Sequence, residues 1–357
     1  MHRFAKSLAA KGHWVDFVTF GQSWLKQRTK AETRRYVVSA EQAARDGKNP
    51  LNIHAHVHRE PFHPLSGSPR AEWLTQPFER LYGRRLDSWT RAAARASDVV
   101  ILECGYAPYY LEAIKRLNPR ARYVAFYNDR LDLVGFRRET LARNNREMPR
   151  FDMVRTNAQA LLACLPAGAK GRYVPQGVDK EQIRFDLPSP YAVGTRNIVS
   201  VGNMLFDEAA IREVAAADQD VHVHVIGVAM ADPPGNVTVH GELPFERTLP
   251  FIVHADVGIA PYRPVEGADY LVQSSLKIQQ YSYCGLPILL ARQLGIDGEN
   301  FVLYDRDRLG DVACAVAQAF AMGKSRHYGQ HVRGWDEVGD ILIEELEAIH
   351  HDDGRSF

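Results

Sequence analysis

Long hydrophobic runs are missing from this 357-residue chain. None approaches the ~20 residues a helix needs to cross a bilayer, and no signal peptide is visible at its start. Cysteine is scarce: Cys104, Cys164, Cys284 and Cys314 lie far apart with no paired spacing. That argues against a disulfide frame or a zinc knuckle and fits reduced thiols in a cytosolic setting. There is no Gly-x-x-x-x-Gly-Lys-Ser/Thr loop and no Gly-x-Gly-x-x-Gly, so ATPase and simple dehydrogenase readings lose their best support. Low-complexity tracts are absent too, and a composition of 45% apolar and 24% charged residues is that of a globular protein. His54, His56 and His58 alternate, with His63 nearby, but no cysteine or carboxylate completes a metal set, so they read as a strand face. His222 and His224 share one face of a strand and read as packing.

What is present begins with a charge asymmetry. Residues 1–150 carry 27 Lys and Arg against 15 Asp and Glu, whereas 151–357 carry 17 against 28, and the net charge of +1 hides both. A basic half suits an anionic partner such as phospholipid headgroups, a lipid pyrophosphate or nucleic acid; the other reading is a solvated basic surface with no partner.

Apolar runs of strand length alternate with helical stretches in both halves, which predicts parallel sheets and βαβ units in an α/β fold. In the first half the strands are expected at 14–20, 98–103 and 122–127, with short ones at 153–156 and 173–175, and helices at 108–117 and 137–147. The expected division is a basic domain over 1–178, a linker over 179–196 holding Pro188, Pro190 and Gly194, a second domain over 197–335, and a closing helix and tail over 336–357. The chain opens inside an amphipathic helix, 3–10, with Gly12 as its C-cap. A doubly wound domain normally opens with a central strand before that helix. Its absence gives the expectation of a first sheet short of a strand, from a late start or a fragment.

The second half is the more telling. Three apolar strands end in polar or glycine loops: Asn197–Asn203, Val221–Gly227 and Val257–Tyr262. Ligands in open α/β sheets sit at such carboxyl ends. Glycine lets backbone approach a phosphate, a helix start supplies N–H groups, and a lysine adds a movable charge. Gly202 and the run Gln273-Ser274-Ser275-Leu276-Lys277-Ile278-Gln279-Gln280 offer all three, which is how a nucleotide is held.

These residues carry a resemblance. Val201-Gly202-Asn203-Met204-Leu205-Phe206-Asp207, His222–Gly227, Val239-His240-Gly241-Glu242-Leu243, Gly258–Tyr262 and Ser274–Lys277 with Gln280-Tyr281 and Gly285-Leu286-Pro287 resemble the GumK-type β-glucuronosyltransferases, glycosyltransferase family 70. Glu103 with Gly105, Asn118-Pro119, Tyr127–Asp129 and Gly177-Val178-Asp179 extend the likeness more loosely through the first half. Asn203 stands where a serine is expected, and 23–80 matches weakly. The resemblance implies a GT-B fold, two Rossmann-like domains facing across a cleft, here with the first strand of the N-terminal domain missing. It implies an inverting transfer of glucuronic acid from UDP-glucuronate, without metal or other cofactor. The acceptor would be a lipid-diphosphate-linked oligosaccharide in exopolysaccharide assembly, at the cytoplasmic face of the inner membrane. An anionic membrane surface is then a partner and nucleic acid is not.

Each site residue carries two readings. Asp129, just past the strand 122–127, matches the family's general base, which takes the acceptor hydroxyl proton; otherwise it caps a turn. Asp132 lies close enough to be confused with it. Glu103 ends the preceding strand and either orients the acceptor or is a solvated carboxylate. Lys277 neutralises diphosphate or the glucuronate carboxylate, or is an exposed helix lysine. Ser274 and Ser275 cap that helix or bond phosphate, and Gln280 shares a face with Lys277. Tyr262 contacts nucleotide or sugar, or fills the cleft rim. Met204 lies near the donor or packs in the core, and Glu242 with Leu243 borders uracil and ribose or forms a surface turn. Asp305-Arg306-Asp307 has the form of the metal motif of the other large glycosyltransferase fold, but it comes after the donor half, so it reads as coincidence. The alternatives to the whole reading are a transferase using another UDP-hexose, a UDP-sugar epimerase, and an inactive nucleotide-sugar-binding protein.

Overall fold

In a computed structural model of the chain, residues 2–23, 52–60 and 81–353 are described. Two compact units emerge: 1–175 with 339–357, and 176–338. The first opens with helix α1 (His2–Ala10), whose exit is turned by Gly12 at φ +93°. Strands β1 (Val15–Ser23) and β2 (Ile53–Glu60) then pair in parallel, Val15 opposite Ile53. Helix α2 (Ser88–Ala96) is capped by Asp87, which accepts from Thr90 N at 2.7 Å. There follow β3 (Val99–Glu103), a 3-10 turn at Ala107–Tyr110, α3 (Leu111–Leu117), β4 (Arg122–Tyr127), α4 (Arg138–Glu147), β5 (Met153–Thr156) and β6 (Gly171–Tyr173). Strands β3 to β6 form a second parallel sheet in chain order.

Strand β4 sits in that sheet with all six side chains buried, as a strand covered on both faces requires. Among the described residues the strands of this unit form one two-stranded and one four-stranded sheet. Aromatic packing links the pieces: Phe20 of β1 stacks on Tyr110 at 4.3 Å, and the Tyr110 hydroxyl donates to Glu60 of β2 at 3.1 Å. The closing helix α10 (Trp335–Asp353) joins this unit from Gly339 onward. A Cβ at Gly339 would lie 2.2 Å from Ser7 Oγ, so glycine there admits α1, and Lys11 pairs with Asp340 at 2.6 Å beside it.

The second unit is regular. Its strands are β7 (Arg196–Val201), β8 (Val221–Ile226), β9 (Val237–Gly241), β10 (Val257–Ala260), β11 (Ile288–Ala291) and β12 (Phe301–Tyr304). Its helices are α5 (Glu208–Ala217), α6 (Phe245–His254), α7 (Tyr270–Ser274), α8 (Leu276–Tyr283) and α9 (Asp311–Met322). All six strands are parallel in the order β12-β11-β10-β7-β8-β9. That is the doubly wound dinucleotide-fold order, and its topological switch point falls between β7 and β10. The stretch 179–196, expected as a linker, packs into this unit: Tyr191 lies against the His224 ring and donates to Phe251 O at 2.7 Å.

Candidate active site

The switch point is built by one substitution-intolerant contact. A Cβ on Gly258 of β10 would meet the Tyr281 ring at 2.5 Å, so only glycine lets α8 press against the sheet. The Tyr281 hydroxyl then accepts from Val201 N at 2.9 Å, fixing the last residue of β7. Gly202 follows at φ +90°, in the left-handed region that glycine adopts without strain. The loop behind it is knitted to the end of β10, with Asp207 N donating to Pro261 O and Arg263 N to Leu205 O, both at 2.8 Å.

One turn before Tyr281 on the same helix stands Lys277. A Cβ at Gly202 would lie 3.7 Å from its Cε, so the ammonium sits over that glycine. Its other flank is the Tyr262 ring, 4.7 Å from Nζ. Among the described residues no carboxylate partner offsets the burial, which pushes the ammonium down to about 7. Ser275 caps α8, accepting from Ile278 N at 3.4 Å, and its Oγ lies 2.6 Å from the Tyr262 hydroxyl. The first-turn N–H groups of α8 have no partner within the helix, as at any helix start. Tyr262 is only 2% exposed, so it is not a rim residue: it supports Lys277 and Ser275 from beneath. Ser274 and Gln280 are buried beside them, while Met204 is half-buried in the β7 loop.

From Gly202 the site continues to Gly227 at the end of β8, where a Cβ would meet Gly202 Cα at 3.1 Å. Gly227 opens onto a cavity of about 520 Å3 lined by Val228, Ala229, Met230, Val239, His240, Gly241 and Glu242. Glu242 is exposed on its wall and Leu243 half-buried just after it. Lysine, two abutting glycines and a hollow thus form one continuous track across the carboxyl ends of β7 and β8. Gly227 is held at φ +98°. Gly227→Ala should therefore cost about 1–2 kcal/mol in unfolding free energy from the backbone alone. It should weaken nucleotide binding as well, by pushing into Gly202; denaturant titration and calorimetry check both.

Other titratable groups turn out to be braces. Arg306, the middle of Asp305-Arg306-Asp307, pairs with Asp207 at 2.6 Å and Glu213 at 2.9 Å, tying down the N-terminus of α5. His56 Nε2 and His58 Nδ1 both bond Asp87 Oδ2, at 2.9 and 2.8 Å, so two of the strand-face histidines hold the α2 cap. His63 lies outside the described residues. His224 packs against His240, its Nδ1 3.1 Å from Nε2, and burial together with the neighbouring His240 pushes it down to about 4, whereas His222, also expected to pack, is exposed. Among the described residues no group of three His, Cys, Asp or Glu is placed to hold a metal ion, and no helix is long and apolar enough to cross a membrane.

In the first unit, β4 delivers Asn128 and then a half-buried Asp129. Asp132, three residues on, is paired with Arg130 at 2.6 Å, and that hydrogen bond holds its carboxyl below the usual range. Glu103, exposed at the end of β3, accepts from Asn128 Nδ2 at 2.8 Å. Two buried residues that sequence reasoning passed over also act here. Asn144 of α4 clamps the turn after β3, accepting from Gly105 N and donating to Gly105 O, each at 2.9 Å. Arg155 of β5 donates to Asn128 Oδ1. The signal was available for the second, since a charge inside an apolar strand run is anomalous.

Solved structures with this architecture include glycosyltransferases and a putative UDP-N-acetylglucosamine 2-epimerase. Sucrose-phosphate synthase from Thermosynechococcus elongatus matches with a TM-score of 0.64 at 15% identity, over 98% of this chain and 92% of that one. A glycosyltransferase of avilamycin A biosynthesis matches at 0.53 and 14% identity, over 97% and 87%. The two units therefore have the GT-B fold, each a Rossmann-like α/β body. In sequence, the family described as glucuronosyltransferase GumK, N-terminal domain, matches residues 1–157. The UDP-glucuronate:glycolipid 2-beta-glucuronosyltransferase of Xanthomonas campestris pv. campestris is 30% identical over 299 residues, 82% of this chain and 73% of that protein. The chain belongs to the GumK glucuronosyltransferase family, and it is an enzyme.

Proposed function

We propose that this chain transfers glucuronic acid from UDP-glucuronate to a lipid-diphosphate-linked oligosaccharide, with inversion and without a metal ion, in exopolysaccharide assembly. The track from Lys277 over Gly202 and Gly227 into the Glu242 cavity carries this reading. Diphosphate would lie over the two glycines, against Lys277 and the first-turn N–H groups of α8, with the nucleoside directed to the cavity, where Glu242 can accept from ribose hydroxyls. Asp129 takes the proton of the acceptor hydroxyl as its oxygen attacks the anomeric carbon, and the glycosidic bond to UDP breaks on the opposite face. Charge growing on the departing diphosphate meets Lys277, which serves where other transferases place a cation. The relative's name, a UDP-glucuronate and glycolipid enzyme, supports both substrates. The basic character of 1–150 suits a diphosphate-bearing lipid in an anionic leaflet at the cytoplasmic side of the membrane.

The test is turnover of the full chain on lipid-linked acceptor in vesicles, with EDTA present, following UDP release and the mass of the glycolipid. Transfer from UDP-glucuronate and tighter calorimetric binding of it than of UDP-glucose support the proposal. Preference for UDP-glucose makes the chain a transferase of another hexose. Conversion of the free sugar nucleotide without acceptor makes it an epimerase, and binding without turnover makes it a binding protein.

A further inference from the structure

Strand β5 reads Met153-Val154-Arg155-Thr156, and all four side chains are buried. Packing alone gives no reason for a guanidinium there. Arg155 is 1% exposed, and its ring neighbours are Phe4 and Phe126, at 4.9 and 5.1 Å. Burial pushes its pKa down to about 9, against the charges of Tyr173 and Glu103, so it is a cation at neutral pH. Its Nη2 donates to Pro175 O at 2.7 Å and its Nη1 to Asn128 Oδ1. From the far side of the same amide, Nδ2 donates to Glu103 Oε1 at 2.8 Å. Asn128 thus stands between a group that can only donate and a group that can only accept, which fixes the amide's orientation. The amide bridges the arginine to a carboxylate with which no direct hydrogen bond is made.

We propose that Arg155 is a positioning residue for the transfer: acting through Asn128 on Glu103, it sets the backbone from which Asp129 leaves β4. This assigns Glu103 to the aim of the base rather than to the acceptor itself, and it rests on the reading of Asp129 as base. Glu103 ends β3, Asn128 directly follows β4 and Arg155 lies within β5, three adjacent parallel strands. Rigid elements of that kind hold a reacting group within the ~0.5 Å that productive geometry tolerates.

The experiment uses the full chain with saturating acceptor and measures kcat, KM for the donor, thermal midpoint and the pH profile of kcat. Asn128→Ala removes the link without changing charge, and kcat should fall about 10²-fold, the effect of a ~1 Å misplacement. Donor KM and the shape of the pH profile should hold, which a general loss of structure would not allow, while the thermal midpoint should fall by only a few degrees as the buried Arg155 Nη1 loses a partner. Asn128→Asp keeps the contact with Arg155 but sets a carboxylate against Glu103, so it should fall similarly. Adding Glu103→Gln supplies an N–H toward that carboxylate and should restore most of the lost kcat. If Asp129→Asn abolishes transfer while both Asn128 variants keep wild-type kcat, the positioning role is overturned and the base assignment stands. A fall in Asn128→Asp that Glu103→Gln does not relieve overturns it as well. If Asp129→Asn itself keeps most activity, the base assignment has failed, and the role proposed for Arg155 fails with it.

Discussion

Asp129→Asn is expected to lower kcat by about 10³-fold, within the range assigned to a single positioned proton acceptor. Donor KM and the thermal midpoint should barely move. The substitution keeps the size of the side chain and one oxygen acceptor. What it removes is the capacity to take a proton from the acceptor hydroxyl, and that capacity is needed only as the new bond forms. An interaction made only in the transition state lowers kcat and kcat/KM together, which is the pattern to look for. Asp132→Asn is the matched control. Its carboxylate is held by Arg130 at 2.6 Å and kept below the usual range, which makes it a poor base. A partly exposed pair of this kind is worth about 0.2–1 kcal/mol to stability and nothing to proton transfer. If Asp132→Asn proves the more damaging of the two, the base lies three residues further along the chain.

Much of this was legible in the sequence, because periodicity reports burial. The run Arg122–Tyr127 reads as a buried strand, and all six side chains are buried. The glycine and polar residues after Val201 and Ile226, and the proline after Ala260, mark where strands of the second sheet end. Ser275 before Leu276-Lys277-Ile278 marks a helix start, and the hydroxyl does cap that helix. What could not be read are contacts between distant positions. Nothing in the local pattern pairs Tyr262 with Ser275, brings Asp87 beneath His56 and His58, or leads Arg155 through Asn128 to Glu103. Each depends on strands being neighbours in a sheet, which a single sequence does not state. The Asp305-Arg306-Asp307 triplet, read as coincidence despite its metal-motif form, has its arginine bonded to Asp207 and Glu213. The weakly matching stretch 23–80 lies largely outside the described residues.

Lys277 provides the second large effect, and it appears as a pH dependence. Among the described residues no counter-charge meets this ammonium, and burial lowers its pKa to about 7. A diphosphate bound beside it supplies the missing charge and raises the pKa, so binding draws the lysine into its charged form. Below pH 7 the group is already charged, and affinity for UDP-glucuronate should be flat. Above pH 7 the ligand must bind together with a proton, and affinity should fall by about tenfold per pH unit until the pKa of the complex is reached. Calorimetry at pH 8 in two buffers of different ionisation enthalpy should find uptake of close to one proton. The sign reverses for stability of the free chain. Here the folded pKa lies below the unfolded one, so the unfolded state binds more protons between about pH 7 and pH 10, and the ligand-free protein should become more stable as pH rises through that window. Lys277→Met should abolish both trends, stabilise the free protein at neutral pH, and weaken UDP-glucuronate binding at pH 6 by about 10- to 100-fold, as expected for loss of a charged hydrogen-bond partner. Affinity that stays constant from pH 6 to pH 9, with no proton taken up, would show that the ammonium over Gly202 does not meet the diphosphate.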